Sequence, residues 1–182
     1  MRSILITVFL LLLLAADVST AQIESPGIGG SIHLGNISGN SPSVSSTGGS
    51  LFFDFFPWFE HDVSFRVSYT YSQMVEKFIP ENRSGRYYPF IKVISLKGFI
   101  RQDFSYPLFL EEGAGFVYLN DRTYSDVNLW EIGAGFSALC GYDFRNNGAK
   151  GFSIGLGVDY GVTFTQTTAN YFLVFIQTHY YF

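Results

Sequence analysis

Three histidines, one cysteine and a thin set of charges are all this chain offers for chemistry. His33, His61 and His179 stand alone, with no cysteines or carboxylates at a metal-ligand spacing, so no metal and no cofactor are expected. No His-Ser-Asn type pairing suggests a nucleophile. The Gly-x-Gly runs lie inside alternating segments, away from any strand-to-helix turn, and are not phosphate loops. What remains is a group of charges spaced for pairing. Residues facing one another in an antiparallel hairpin are equidistant from its turn. With turns near Glu60 and Tyr106, Asp54 faces Arg66 and Arg101 faces Glu111. The expected interior order is Asp54, Arg66, Arg101, Glu111 on four consecutive strands, each cation beside an acid, with Lys97 one layer above. Buried charges persist when paired and hydrogen-bonded. The chemistry expected is therefore an ion-paired network, without catalysis.

Strands must position these groups, because the chain alternates with period two almost throughout. Val63 to Met74 sets Val63, Phe65, Val67, Tyr69 and Tyr71 against Ser64, Arg66, Ser68, Thr70 and Ser72. Gly151 to Thr165 sets Phe152, Ile154, Leu156, Val158, Tyr160, Val162 and Phe164 against a face of mainly Gly and Ser. Alternation also marks Pro26–Ile37, Leu51–Trp58, Tyr88–Phe104, Leu108–Leu119 and Val127–Tyr142, with Tyr88–Phe104 the least regular. Ser38–Ser50, Val75–Arg86, Asn120–Asp126 and Gln166–Asn170 read as loops, and Asn147-Gly148 is a strong turn signal. With the closing strand the count is eight, each about long enough to cross a bilayer when tilted.

The two ends of the chain are the most informative. Tyr171 to Phe182 alternates to the last residue, with Phe172, Val174, Ile176, Tyr180 and Phe182 on one face. A chain terminus usually frays, whereas a closed barrel needs its last strand to remove the open edge. At the other end, Met1-Arg2-Ser3 precedes an apolar run, Ile4–Ala16, and Ser19-Thr20-Ala21 supplies small residues for cleavage. Residues 1–21 are expected to be a secretory signal peptide and 22–182 one barrel domain. No later stretch has the ~18 apolar residues of a spanning helix, yet aromatics are 19% of residues and charges only 14%. That composition is too apolar for an ordinary secreted domain, and it leaves the barrel as the spanning solution.

A soluble eight-stranded barrel also alternates, with its apolar face inward. The bulk of Phe, Tyr and Trp on the apolar faces exceeds what a small interior holds, and the Gly/Ser faces would make a poor solvent surface. Aromatics also gather near strand ends (Trp58, Tyr69, Tyr71, Tyr87, Tyr88, Tyr118, Trp130, Tyr142, Tyr180, Phe182), as membrane interfaces require. The apolar face is therefore expected to meet lipid.

On strand number, leader and terminal aromatic pattern, the mature chain resembles the small eight-stranded outer-membrane β-barrel proteins of the OmpA and OmpX kind. The resemblance implies an all-β, antiparallel, up-and-down transmembrane barrel in a Gram-negative outer membrane, with both termini periplasmic. It also implies that Tyr180 and Phe182 form the signal read by the barrel-assembly machinery. Such an architecture identifies a fold better than a task.

Partners follow from charge. A net charge of -4 without a basic block excludes nucleic acid. Lys77, Arg83, Arg86 and Lys92 cluster in or beside the second external loop, with Glu76 and Glu81 interspersed. They read as a solvated loop or as contacts to lipopolysaccharide phosphates, Lys92 being the best placed. His33 and His179 are expected to be hydrogen-bonded interior groups, all three histidines lying toward the periplasmic end. The leading reading is a monomeric structural or surface-interaction barrel, plugged by its side chains. An outer-leaflet lipid A acyl-modifying enzyme and a conduit for small apolar solutes are the alternatives.

Overall fold

The computed structural model describes residues 26–55, 63–79, 81, 85–105, 107–145 and 150–182. The expected signal segment 1–21, His61, Arg83, Trp58 and the turn residues Glu60, Tyr106 and Asn147-Gly148 lie outside them. Eight strands close into one barrel: β1 (Gly27–Ser38), β2 (Val44–Phe55), β3 (Val63–Met74), β4 (Phe90–Ser105), β5 (Leu108–Arg122), β6 (Leu129–Asp143), β7 (Gly151–Thr163) and β8 (Asn170–Tyr181). Every neighbour is antiparallel, and β1 pairs with β8 from Gly27↔Tyr181 to Ser38↔Asn170, so the sheet has no free edge. A 3₁₀ turn, Val75–Phe78, follows β3.

The alternation sorts the two faces as expected. Ile32, Leu51, Phe116, Ile132, Phe152, Leu156 and Phe172 stand exposed on the wall. Their chain neighbours His33, Phe52, Val117, Glu131, Ser153, Gly157 and Tyr171 are buried inside. An exposed apolar belt this continuous would not suit water, and in lipid it is the solvated surface.

Two expectations need correcting. Ser38–Ser50 is not a loop: β2 begins at Val44, and only Gly39–Ser43 connect it to β1. Its first half pairs residue for residue with β1, from Ile37↔Val44 to Ser31↔Ser50. Outward positions Ser45, Thr47 and Gly49 are not apolar, so the ladder continues where the pattern does not. Tyr88 was expected at the interface and is instead buried.

The interior is filled in two layers. Toward the end that carries the long loops, Ile37, Ile91, Val93, Val117, Leu119, Ala169, Tyr171 and Leu173 form an apolar plug. Toward the end that carries the chain termini, the filling is charged. Eight strands leave room for little more than side chains, and a cavity of about 30 Å³ lies in the charged layer between Ser31, His33, Lys97 and Asp159. That is room for about one water molecule.

A connection across the mouth covers the apolar layer. The Asn40 N–H donates to Asp121 Oδ2 at 3.1 Å and the Ser41 N–H to Thr123 Oγ1 at 3.3 Å. Asp121 Oδ1 also accepts from the Thr123 N–H and hydroxyl, at 2.8 and 2.7 Å. The β1–β2 loop is thereby tied to β5, on the far side of the barrel. Glu131 on β6 holds the end of the adjacent β7 and the β7–β8 loop, accepting from Thr163 Oγ1 at 2.6 Å and from the Thr167 N–H at 2.7 Å.

Candidate functional site

Arg66 is the centre of the charged layer. Period-two alternation aims it inward from β3, and the hairpin register sets it opposite Asp54, as expected. Its Nε donates to Asp54 Oδ1 and its Nη2 to Asp54 Oδ2, each at 2.6 Å, the fork geometry in which arginine meets a carboxylate best. Nη2 also lies 2.8 Å from Glu111 Oε1 on β5, and Nη1 is 3.4 Å from Gln177 Oε1 on β8. Phe52 and Phe99 lie against the guanidinium, their ring centroids 4.3 and 4.2 Å from Cζ. One side chain thus links β2, β4, β5 and β8 across the lumen.

Arg101 is opposite Glu111 in the β4–β5 register, also as expected. The partners differ from expectation. Arg101 Nη2 donates to Asp143 Oδ2 at 2.6 Å, Nε to Asp103 Oδ1 at 3.1 Å and Nη1 to the Tyr181 hydroxyl at 3.0 Å. Glu111 meets Arg66 instead. Lys97, expected one layer above, is the direct β4 neighbour of Arg66. It satisfies its charge across the lumen by donating to Asp159 on β7. Two cations side by side are tolerated because each faces a different acid. Asp143 also accepts from Arg145 Nη2 at 2.6 Å.

Asp54, Arg66, Lys97, Arg101 and Glu111, the interior set expected from the sequence, are all 3–5% exposed, while Asp143 and Asp159 were not expected there. The available signal was an acid on an inward Gly/Ser face of β6 or β7. Cross-lumen pairing cannot be read from hairpin symmetry, which relates adjacent strands only.

The histidines also depart from expectation. His179 is interior and near the terminus-bearing end, 3.6 Å from Asp54 Oδ2 by Nε2. Neither of its nitrogens, nor His33 Nε2, has a hydrogen-bond partner among the described residues. His33 sits at mid-height on β1, opposite Gly48 and Phe175. It is not near the terminus-bearing rim.

At the loop-bearing end, Lys77 and Arg86 are exposed and line one groove with Phe78, Gly85 and Tyr88. Lys92 is separate, on the outer wall of β4, with Nζ 5.8 Å from the Phe90 ring. Arg122, passed over in the sequence because Asn120–Asp126 read as loop, is the cross-strand neighbour of Phe90 at the end of β5. Tyr180 and Phe182 project outward at the other end, 5.6 Å apart, with Tyr180 also 4.7 Å from Phe152.

No family model matches the sequence, and no curated protein matches it. Solved structures do match. The crystal structure of Neisserial surface protein A aligns at a TM-score of 0.68 and 12% identity, over 86% of this chain and 97% of that one. Ail, the attachment invasion locus protein of Yersinia pestis, aligns at 0.54 and 12% identity, over 87% and 98%. The outer membrane protein OprG of Pseudomonas aeruginosa aligns at 0.50 and 11% identity, over 91% and 99%. At such identities the likeness is one of fold, and the fold is that of the small eight-stranded outer-membrane barrels of the OmpA and OmpX kind.

Proposed function

We propose that this chain is a non-catalytic outer-membrane barrel with a structural or surface-interaction role, its lumen plugged by side chains. The observation that carries the plug is the Arg66 clamp, which reaches Asp54, Glu111 and Gln177 from three other strands. The apolar layer packs above it, and the cavity beside it has room for about one water. The exposed apolar wall supports a lipid environment.

In this reading residues 1–21 are an export signal, both termini are periplasmic, and the loop-bearing end faces outward. The closing strand, with Tyr180 and Phe182, is what the barrel-assembly machinery reads. Lys77, Arg83, Arg86 and Lys92 meet lipopolysaccharide phosphates, and the chain works as a monomer without a cofactor. Ail has been crystallised in complex with the heparin analogue sucrose octasulfate; exposed Lys77 and Arg86 give these loops a chemistry suited to a polyanion as well.

The test is refolding into detergent and planar bilayers. A folded barrel should migrate differently on gels before and after boiling, and it should show no steady single-channel conductance. Stable channels would overturn the plug, and identical migration would overturn the barrel.

A further inference from the structure

Cations on the outer wall of a membrane barrel are costly in the apolar band and tolerable at its rim. At the loop-bearing end of the wall, β4 and β5 carry two. The register Phe90↔Arg122 and Lys92↔Asn120 makes Lys92 and Arg122 diagonal neighbours on one face. Both cations lie over the Phe90 ring, with Arg122 Cζ 5.6 Å and Lys92 Nζ 5.8 Å from its centroid. Neither forms an ion pair with a carboxylate of the described residues, and Arg122 Nε is buried without a hydrogen-bond partner among them. The buried arginines Arg66 and Arg101 each have an acid, whereas half-buried Arg122 keeps this one donor for a ligand.

Directly below, the same strands form an open apolar groove. Ile94↔Tyr118 and Leu96↔Phe116 follow in the register, and Val67 and Ile132 close its sides. The Tyr118–Trp130 stack, with centroids 4.7 Å apart, stands at its upper corner. A phosphate above and an alkyl chain below would satisfy both features at once.

We infer that Lys92 and Arg122 bind the phosphate of an anionic lipid whose acyl chain lies in the groove between Ile94, Leu96, Phe116 and Tyr118. The inference rests on the outer-membrane reading and adds to it a defined site, with Arg122 as the second cation. Arg122 supplies fork-shaped donors, Lys92 a compact charge, and Phe90 offers both the face of one ring.

The experiment refolds the chain into phosphatidylcholine vesicles containing a minor fraction of phosphatidic acid, extracts it with mild detergent and measures the lipid retained. Phosphatidic acid should be enriched on the parent over its vesicle fraction. Lys92→Gln or Arg122→Gln should each cut that enrichment about fivefold, and the pair about thirtyfold. Arg122→Lys should keep part of it, and Lys150→Gln, on the β6–β7 turn at the other end, should keep all. Equal enrichment on the parent and the double variant, or none on the parent, overturns the site. Displacement by free glycerol 3-phosphate at equal concentration makes it a site for free anions and overturns the lipid assignment. Heat-dependent gel migration of the same samples reports separately on the barrel, whose absence would sink the outer-membrane reading itself.

Discussion

Arg66 and Asp54 meet through two parallel 2.6 Å hydrogen bonds between adjacent strands, and the same guanidinium lies 2.8 Å from Glu111. One cation therefore neutralises two buried acids. Removing it should be far worse than removing either acid, because both carboxylates would stay buried without a counter-charge. Arg66→Ala is expected to cost about 3–5 kcal/mol in urea unfolding followed by gel mobility. Adding Asp54→Ala and Glu111→Ala together should restore part of that loss. A triple variant weaker than Arg66→Ala would show that the acids do not depend on Arg66.

The wall is expected to reject charge that the interior accepts. Val158 is exposed near the middle of β7, and Val158→Arg should cost about 2–4 kcal/mol in refolding into lipid vesicles. Val158→Leu should be close to neutral. Similar costs for the two would mean that this face does not meet hydrocarbon.

Assembly should depend on the outward aromatics of β8. Phe182→Ala with Tyr180→Ala should lower the yield of barrel in the outer membrane. Thr178→Ala, also outward, should not. Thr178 is the proper control because Gln177, on the inner face, contacts Arg66. Equal yields for all would remove the assembly role.

Packing around Tyr171 leaves no room on β7. A Cβ at Gly161 would lie 2.5 Å from Tyr171 Cε1 and Cζ, so Gly161→Ala should destabilise by about 1–3 kcal/mol. Combining it with Tyr171→Ala should cost less than the two changes separately, as contacting sites do not add. Strict additivity would place the strain elsewhere.

Asp121 holds the mouth by accepting from Asn40 and Thr123. Asp121→Ala should speed hydrogen exchange at both amides while leaving amides in the middle of β1 unchanged, because loops open locally. Unchanged exchange at Asn40 would mean that the connection is dispensable.

How much of this was legible follows from what alternation records. The pattern reports contact with lipid, so it located β3, β7 and β8 to within about two residues. It lost the first half of β2, where Ser45, Thr47 and Gly49 pair with β1 but present no apolar face. It likewise ended β5 at Leu119, three residues before the ladder ends at Arg122. In the charged layer, short hairpins made Asp54–Arg66 and Arg101–Glu111 readable as neighbours, despite a bulge at Asp103/Ser105. The offset of β3 against β4 crosses a long loop and had no such ruler, so Lys97 fell unexpectedly beside Arg66. Asp159 and Asp143 reach their cations across space that curvature creates, and no local spacing encodes it.

The inner face of β1 is nearly smooth: Gly27, Gly29, Ser31 and Gly35 surround one large polar side chain, His33. Gly27 lies under His179 and Gly29 under Phe52, each too close for a Cβ, while His33 occupies the gap over Gly48. A strand this bare offers little steric resistance as the last seam zips shut. A slip of two residues along β2 would set His33 opposite Ser46 or Ser50 in place of Gly48, where a Cβ would take the space beside its ring. On this bare face the register of the β1–β2 hairpin is thus marked by one ring set over one glycine, with Ile37 as the other large inward group.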